Sequence, residues 1–158
     1  MIVELQELIK VVNRLKQEGK RIVFTNGCFD IIHLGHVLYL KSAKEYGDIL
    51  VVGLNSDKSV KIIKGDKRPV VPQGERAGVL SSIRFVDYVV IFNEPDPYKI
   101  IEAVKPDVLV KGGDWAIENI IGRDIVESSG GKVYNIPYIE GSSSTNIIEE
   151  ILKRYSTE

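Results

Sequence analysis

At 158 residues and a net charge of −1, the chain is long enough for one domain that buries about two-thirds of its unfolded surface. That balance gives no basic stripe for nucleic acid, though it leaves room for a local basic pocket around a small phosphate. The single cysteine excludes an internal disulfide and a thiolate zinc cage and fits a reducing cytoplasm.

No apolar run nears the roughly 18 residues of a membrane span, and the acidic, polar N-terminus does not read as a signal peptide. No internal repeat or low-complexity stretch interrupts the chain.

Residues 3–18 place Leu5, Leu8, Ile9, Val12 and Leu15 on one helical stripe, stopped by Gly19. Arg21-Ile22-Val23-Phe24 is a short apolar run of the kind a buried strand gives. It leads through residues 25–36 into Val37, Leu38, Leu40 and Ala43, which recur at helical spacing up to about Gly47. Residues 48–55 form a second buried strand, and Ser56-Asp57 caps a short helix to Ile63. Residues 64–72 hold a glycine and two prolines and read as a loop. A helix over 75–83, a third strand over 87–92 and a helix from Pro97 to Val104 follow. The fourth strand is 107–111. A helix over about 117–128, a fifth strand over 132–136, a loop and a final helix over about 146–154 complete the chain.

Short apolar strands separated by helices predict an α/β fold with a parallel sheet covered on both faces. Right-handed crossovers make it doubly wound and Rossmann-like. In such sheets ligands sit beyond the carboxyl ends of the strands, where strand order reverses. With five strands in the order 3-2-1-4-5, the exits of strands one and four flank that crevice.

The first of those exits carries His33 and His36, the only two histidines in the chain. Their spacing puts both on one face of the incoming helix turn. Gly27 and Gly35 allow unusual backbone or close ligand approach, and the helix N-terminus suits a phosphate. A capped turn with two surface imidazoles is the plainer reading of the same residues. The other exit, Lys111-Gly112-Gly113-Asp114-Trp115, is either a tight turn or a shelf on which a flat base lies, with Asp114 and Trp115 positioned to bond or stack.

The loop between Lys61 and Arg76 concentrates positive charge in Lys61, Lys64, Lys67, Arg68 and Arg76. It is either a solvated loop or a lid over phosphates. Residues 140–146 precede the last helix. Asn146 with Glu149 forms a capping pair, and the hydroxyls of Ser143, Ser144 and Thr145 exceed what one cap needs, which suits an anion. Cys28 lacks the separate orienting acid of a thiol nucleophile and reads as a buried small hydrophobe. Arg84 to Asp87 joins a helix end to a strand.

These residues also carry a resemblance. His33-Leu34-Gly35-His36 resembles the H-x-G-H signature of the nucleotidyltransferase superfamily. Asn26-Gly27-Cys28-Phe29-Asp30 is similar to the G-x-F-D lead-in of its cytidylyltransferase-like branch. Residues 112–115 match that branch's G-G-D plus aromatic, and Ser143-Ser144-Thr145-Asn146-Ile147 its S-[ST]-T-x-I. The later lysine motif of the related synthetases is missing. Lys64-Gly65-Asp66, Arg68-Pro69-Val70, Pro72 and Arg76 resemble the run found in bacterial heptose-1-phosphate adenylyltransferases. Glycerol-phosphate cytidylyltransferases keep only the later arginine.

The resemblance, over residues 20–152, implies transfer of an adenylyl group from ATP to a sugar 1-phosphate. It places His33 and His36 on the α- and β-phosphate oxygens and Lys64 on the charge between attacking and leaving groups. Asn26, Gly27, Cys28, Phe29, Gly35, Gly112, Gly113 and Asp114 would line the nucleotide, and Arg76 with Ser143, Ser144 and Thr145 would hold the triphosphate tail. Asp30 would orient a histidine or the metal's water shell. Lys61, Asp66, Arg68 and Trp115 would complete the sugar-phosphate side. Mg²⁺ would arrive bridging phosphates, with no protein cage for it. The resemblance further implies a homodimer through Arg84-Phe85-Val86-Asp87. A cytidylyltransferase acting on glycerol 3-phosphate and a non-catalytic nucleotide-binding module remain open alternatives.

Overall fold

The computed structural model describes residues 1–156. Its sheet is formed by β1 (Ile22–Gly27), β2 (Ile49–Asn55), β3 (Tyr88–Phe92), β4 (Val108–Gly112) and β5 (Lys132–Ile136), all parallel, in the order β3-β2-β1-β4-β5. The order expected from the sequence is the one observed. The helices are α1 (Leu5–Gln17), α2 (Leu34–Lys44), α3 (Asp57–Lys64), α4 (Gln73–Ser82), α5 (Tyr98–Val104), α6 (Arg123–Ser128) and α7 (Ser144–Tyr155).

Strand residues alternate between two buried clusters because successive side chains leave opposite faces of the pleat. Ile22, Phe24, Val51, Val90 and Leu109 join α1, α5 and α6 in one cluster. Val23, Leu50, Val52, Val89, Val108 and Val110 join α2 and α4 in the other. Neither face meets water, so the strands read as unbroken apolar runs rather than alternating ones.

The ladder between β1 and β4 is short. It pairs only Val23 with Val108 and Phe24 with Leu109, whereas β1 pairs with β2 along its whole length. Beyond residues 24 and 109 the two strands part, and the crevice opens between them. Tyr39 of α2 bridges the gap: its hydroxyl lies 2.5 Å from Thr25 Oγ1 and donates to the Val110 carbonyl at 3.2 Å. Burial pushes its phenol pKa up, so it stays protonated as that donor.

Several boundaries differ from the periodicity. The chain opens as a bridge beside β3, with Val3 N–H donating to the Val89 carbonyl at 2.9 Å, so the first helix starts at Leu5. The expected helix over 117–128 is a 3₁₀ turn (Ile117–Asn119) followed by α6. Gly122 separates them at φ 90°, where a Cβ would meet Ile101 Cδ1 at 2.6 Å. That close packing, invisible in the apolar spacing, divides the helix. The last helix starts earlier than expected because Ser143, not Asn146, caps it; Ser143 Oγ accepts from Asn146 N–H at 3.0 Å. Ser56 caps α3 as expected, accepting from Ser59 N–H at 3.2 Å.

Gly131 tests the packing at the start of β5. A Cβ there would lie 2.5 Å from the Asp107 carbonyl oxygen and 3.0 Å from that of Val126. Backbone at that distance has nowhere to move cheaply. Gly131→Ala is expected to cost about 1–3 kcal/mol and to lower Tm by roughly 2–12 °C in a thermal melt. An unchanged Tm would contradict this close approach.

Candidate active site

A cavity of about 750 Å³ occupies the crevice at the carboxyl ends of the strands. It brings together segments far apart in sequence, among them the turn after β1, the Lys64 end of α3 with its loop, the exit of β4 and the approach to α7. Of the residues singled out in the sequence, Asn26, Gly27, Cys28, Phe29, Asp30, His33, Gly35, His36, Lys64, Arg68, Gly112, Trp115, Ser143, Ser144 and Thr145 line it.

The β1–α2 turn is backbone under tension. Phe29 and Ile31 both take positive φ, 46° and 51°, a conformation that costs a side-chain-bearing residue energy and persists only where its surroundings enforce it. The turn delivers His33 to the N-cap of α2 and His36 to its first turn. Their rings stack with centroids 3.9 Å apart, and Phe29 packs on His36 at 5.3 Å. Both imidazoles are half-buried rather than fully on the surface.

Burial, the like charge of His33 and the nearby Lys64 push the His36 pKa down to about 4. Burial lowers that of His33 as well. Both rings are therefore neutral at physiological pH. His36 Nδ1 accepts from the His33 backbone N–H at 3.3 Å, which puts its proton on Nε2 as a donor. His33 Nδ1 is buried with no partner. At Gly35 a Cβ would meet Ser142 Cβ at 2.8 Å and His33 Cε1 at 2.9 Å. Only glycine lets the approach to α7 close on the histidine turn.

Asp30 does something other than orient a histidine. Its carboxylate is 2% exposed and accepts from Arg68 Nε (2.7 Å), Val70 N–H (2.8 Å) and Val71 N–H (2.9 Å). Burial alone would raise its pKa; those donors outweigh burial and hold it below the ordinary carboxylate range. The carboxylate is thus consumed in pinning the basic loop to the histidine turn.

Arg76 also departs from expectation. It is 1% exposed, outside the cavity lining. Its guanidinium donates to the carbonyls of Val71 (2.9 Å), Cys28 (2.6 Å) and Asn55 (2.9 Å) and to Asp57 Oδ1 (2.7 Å). Four of its five N–H donors are used this way, joining the exits of β1 and β2 to the loop and to α3, and its burial outside the cavity keeps it from a triphosphate there. Lys61 and Asp66 are exposed and do not line the cavity either.

Gly113 and Asp114 do not line the cavity either. The ring of Tyr138 lies over the shelf, where a Cβ on Gly112 would meet it at 3.1 Å and one on Gly113 at 2.7 Å. Tyr138 had no signal in the sequence, since it lies in an aperiodic loop. Ser142 and Lys111 line the cavity too. For Lys111 a signal existed: a lysine closing an otherwise apolar buried run.

The hydroxyls before α7 are partly engaged. Ser143 caps the helix, and Ser144 Oγ donates to the Asp30 carbonyl. Burial pushes the Cys28 thiol pKa up despite several nearby cations, so Cys28 stays a neutral thiol. No cluster of three or more His, Cys, Asp or Glu side chains suited to a metal occurs among the described residues. Among those residues no helix is long and apolar enough to cross a membrane.

The Cytidylyltransferase-like family model matches residues 24–150, which span every segment of this cavity. The chain belongs to that family. Curated relatives include "Bifunctional protein HldE" of Geobacter metallireducens, 52% identical over 99% of this chain, and of Nitratiruptor sp., 53% identical over 95% of it. The chain spans about a third of the length of these relatives, 32% of each. Among solved structures, the lipopolysaccharide core biosynthesis protein from Thermoplasma volcanium is 31% identical with a TM-score of 0.66, covering 77% of this chain and 100% of that one. Pantoate-beta-alanine ligase from Francisella tularensis, at 17% identity and a TM-score of 0.64 over 97% of this chain and 79% of that one, shares the fold.

The clamp at Asp30 has a pH signature. Its pKa is lowered in the folded state, so its contribution is fully present above the unfolded value near 4 and is lost as pH falls through the folded value. Asp30→Asn is expected to destabilise the protein by about 1–3 kcal/mol at neutral pH. In urea titrations the gap to the wild type should narrow as pH falls below about 5. A gap independent of pH would contradict the ionised clamp.

Proposed function

We propose that this chain is an adenylyltransferase joining ATP to D-glycero-β-D-manno-heptose 1-phosphate, giving ADP-heptose and pyrophosphate for lipopolysaccharide core or related surface glycans. The observation that carries the proposal is the convergence of His33, His36 and Lys64 on one cavity where β1 and β4 part. The similarity of residues 64–76 to heptose-1-phosphate adenylyltransferases supports the choice of nucleotide and sugar. So do relatives with "bifunctional" in their name that match over a third of their length, which fits one of two activities, and the lipopolysaccharide core biosynthesis protein from Thermoplasma volcanium.

In this reading a phosphate oxygen of the acceptor attacks the α-phosphorus in line, and pyrophosphate leaves from the opposite side. The nucleophile is already anionic, so no strong general base is required, and catalysis is positioning plus charge stabilisation. The neutral His36 donates its Nε2–H to a phosphate oxygen, with His33 beside it. Lys64, the last residue of α3 before Gly65 at φ 91°, supplies positive charge as the transition state forms. The phosphate tail lies toward the N-terminus of α7, which lines the cavity where Arg76 does not. Magnesium belongs to the substrate as Mg·ATP, where it neutralises phosphate charge and keeps most of its waters. The carboxylate of Asp30, occupied by the loop, fits no ligand role for it. The enzyme is proposed to act in the cytoplasm as a homodimer. In residues 84–87 the exposed Arg84 stacks its guanidinium over Phe85 at 4.9 Å, while Asp87 is used internally by Leu50 N–H at 2.7 Å.

Pyrophosphate release measured across a grid of ATP and CTP against heptose 1-phosphate and glycerol 3-phosphate tests the assignment. ATP with heptose 1-phosphate is expected to turn over fastest. Faster turnover of CTP with glycerol 3-phosphate would replace the proposal with the cytidylyltransferase reading, and no turnover of any pair would favour a binding module.

Lys64 and Lys67 separate a catalytic loop from a solvated one, because Lys64 lines the cavity and Lys67 does not. Lys64→Ala is expected to lower kcat by roughly 100-fold with ATP affinity by calorimetry within a few-fold. Lys67→Ala should leave kcat and KM near wild type. Equal, small effects at both positions would remove the loop from catalysis. A rise in KM at unchanged kcat would make Lys64 a ground-state anchor.

A further inference from the structure

The crevice has two sides, set by strand alternation. Val110 belongs to the cluster packed under α2, the helix of the histidines, and Leu109 to the opposite cluster under α1, α5 and α6. Lys111 shares the parity of Leu109, as Asn26 shares that of Phe24. Both therefore leave the sheet on the side away from His33 and His36. There they meet in a small hollow of about 80 Å³, shared with Pro97, Trp115, Asn119 and Ile121 and adjoining the main cavity. Lys111 lines both spaces.

Lys111 is half-buried, and no ion pair or hydrogen bond ties its ammonium among the described residues. Burial pushes its pKa down, and the nearby Cys28 thiol, held neutral by its own burial, supplies no countercharge. A lysine held in a cleft without a carboxylate is costly to keep charged. A bound anion removes that cost.

Resting on the reading above, we infer that Lys111 binds the phosphate of the acceptor, with the amides of Asn26 and Asn119 beside it. In-line displacement supplies the reason. The leaving pyrophosphate lies with the histidines and Lys64, so the incoming phosphate approaches from the other side. Lys111 is the cation placed there. The hollow admits a phosphate group but is too small for a nucleoside, which leaves the main cavity to the nucleotide. The bland alternative is a lysine that buries its stem and reaches solvent with its ammonium.

The wild type is first run on the grid to establish which phosphomonoester it accepts. KM for that acceptor and for the nucleoside triphosphate is then measured in Lys111→Met and Lys111→Arg, with thermal melts confirming the fold. Loss of a charge-assisted contact to one substrate predicts a rise in acceptor KM of roughly 10- to 100-fold in Lys111→Met. The triphosphate KM should stay within about threefold, and Lys111→Arg should restore part of the loss. Unchanged acceptor KM overturns the inference. A parallel rise in the triphosphate KM moves Lys111 to the nucleotide and overturns it as well. If Lys111→Met fails to fold, or if the wild type turns over no pair, the wild type is acetylated with and without millimolar heptose 1-phosphate or inorganic phosphate. Protection of Lys111 by either anion supports a phosphate subsite even where the proposed reaction has failed. Equal acetylation in all samples overturns it.

Discussion

The arrangement of this site depends on one buried carboxylate. The segment between α3 and α4 has no ladder or helix of its own, so its backbone donors need partners from elsewhere. Asp30 supplies them, taking the N–H groups of Val70 and Val71 and the guanidinium of Arg68. The clamp ties the loop directly to the histidine turn. With it, Lys64 stands at the mouth of the same cavity as His33 and His36. Arg76 works from beneath in the same sense, drawing together the carbonyls of Cys28, Asn55 and Val71. Two charged residues that look like ligands for a phosphate thus serve as its scaffolding. Each is buried and hydrogen-bonded at nearly every polar atom, the condition under which a buried charge is tolerated.

The crevice itself comes from a shortened ladder. Where β1 and β4 stop pairing after residues 24 and 109, Tyr39 holds the strands at a fixed separation through Thr25 and the Val110 carbonyl. The strained turn at Phe29 and Ile31 then aims the histidines into the opening. Strain of this kind survives because the packed strands and the Asp30 clamp over-determine the turn. Function and stability are coupled here through shared residues, so changes to the scaffold are expected to reach the chemistry.

The electrostatics divide the labour. The two imidazoles are neutral, His33 through burial and His36 through burial together with His33 and Lys64, so they add no charge of their own. Positive charge comes from lysines on either side, Lys64 on the loop and Lys111 on the sheet. Cys28 lies within the field of both. Such a layout suits a reaction in which charge moves along a line of phosphates rather than onto a single proton acceptor.

The sequence by itself determined the sheet. Apolar runs at strand length, helices between them and right-handed crossovers make it parallel and doubly wound, and the expected order β3-β2-β1-β4-β5 is the one the structure has. The histidine turn, the serine run and the basic loop were legible for the same reason, because each sits at a strand exit or helix start that local pattern marks. What only the tertiary structure decided is how each polar side chain is used. Arg76 and Lys64 read alike as cations in one loop, yet one is buried scaffolding and the other lines the cavity. Tyr138 covers the glycine shelf from an aperiodic loop. Gly122 splits a helix because Ile101 packs against it. These outcomes depend on neighbours about 20 to 50 residues away in the chain, and residue spacing reports only on neighbours within a few turns.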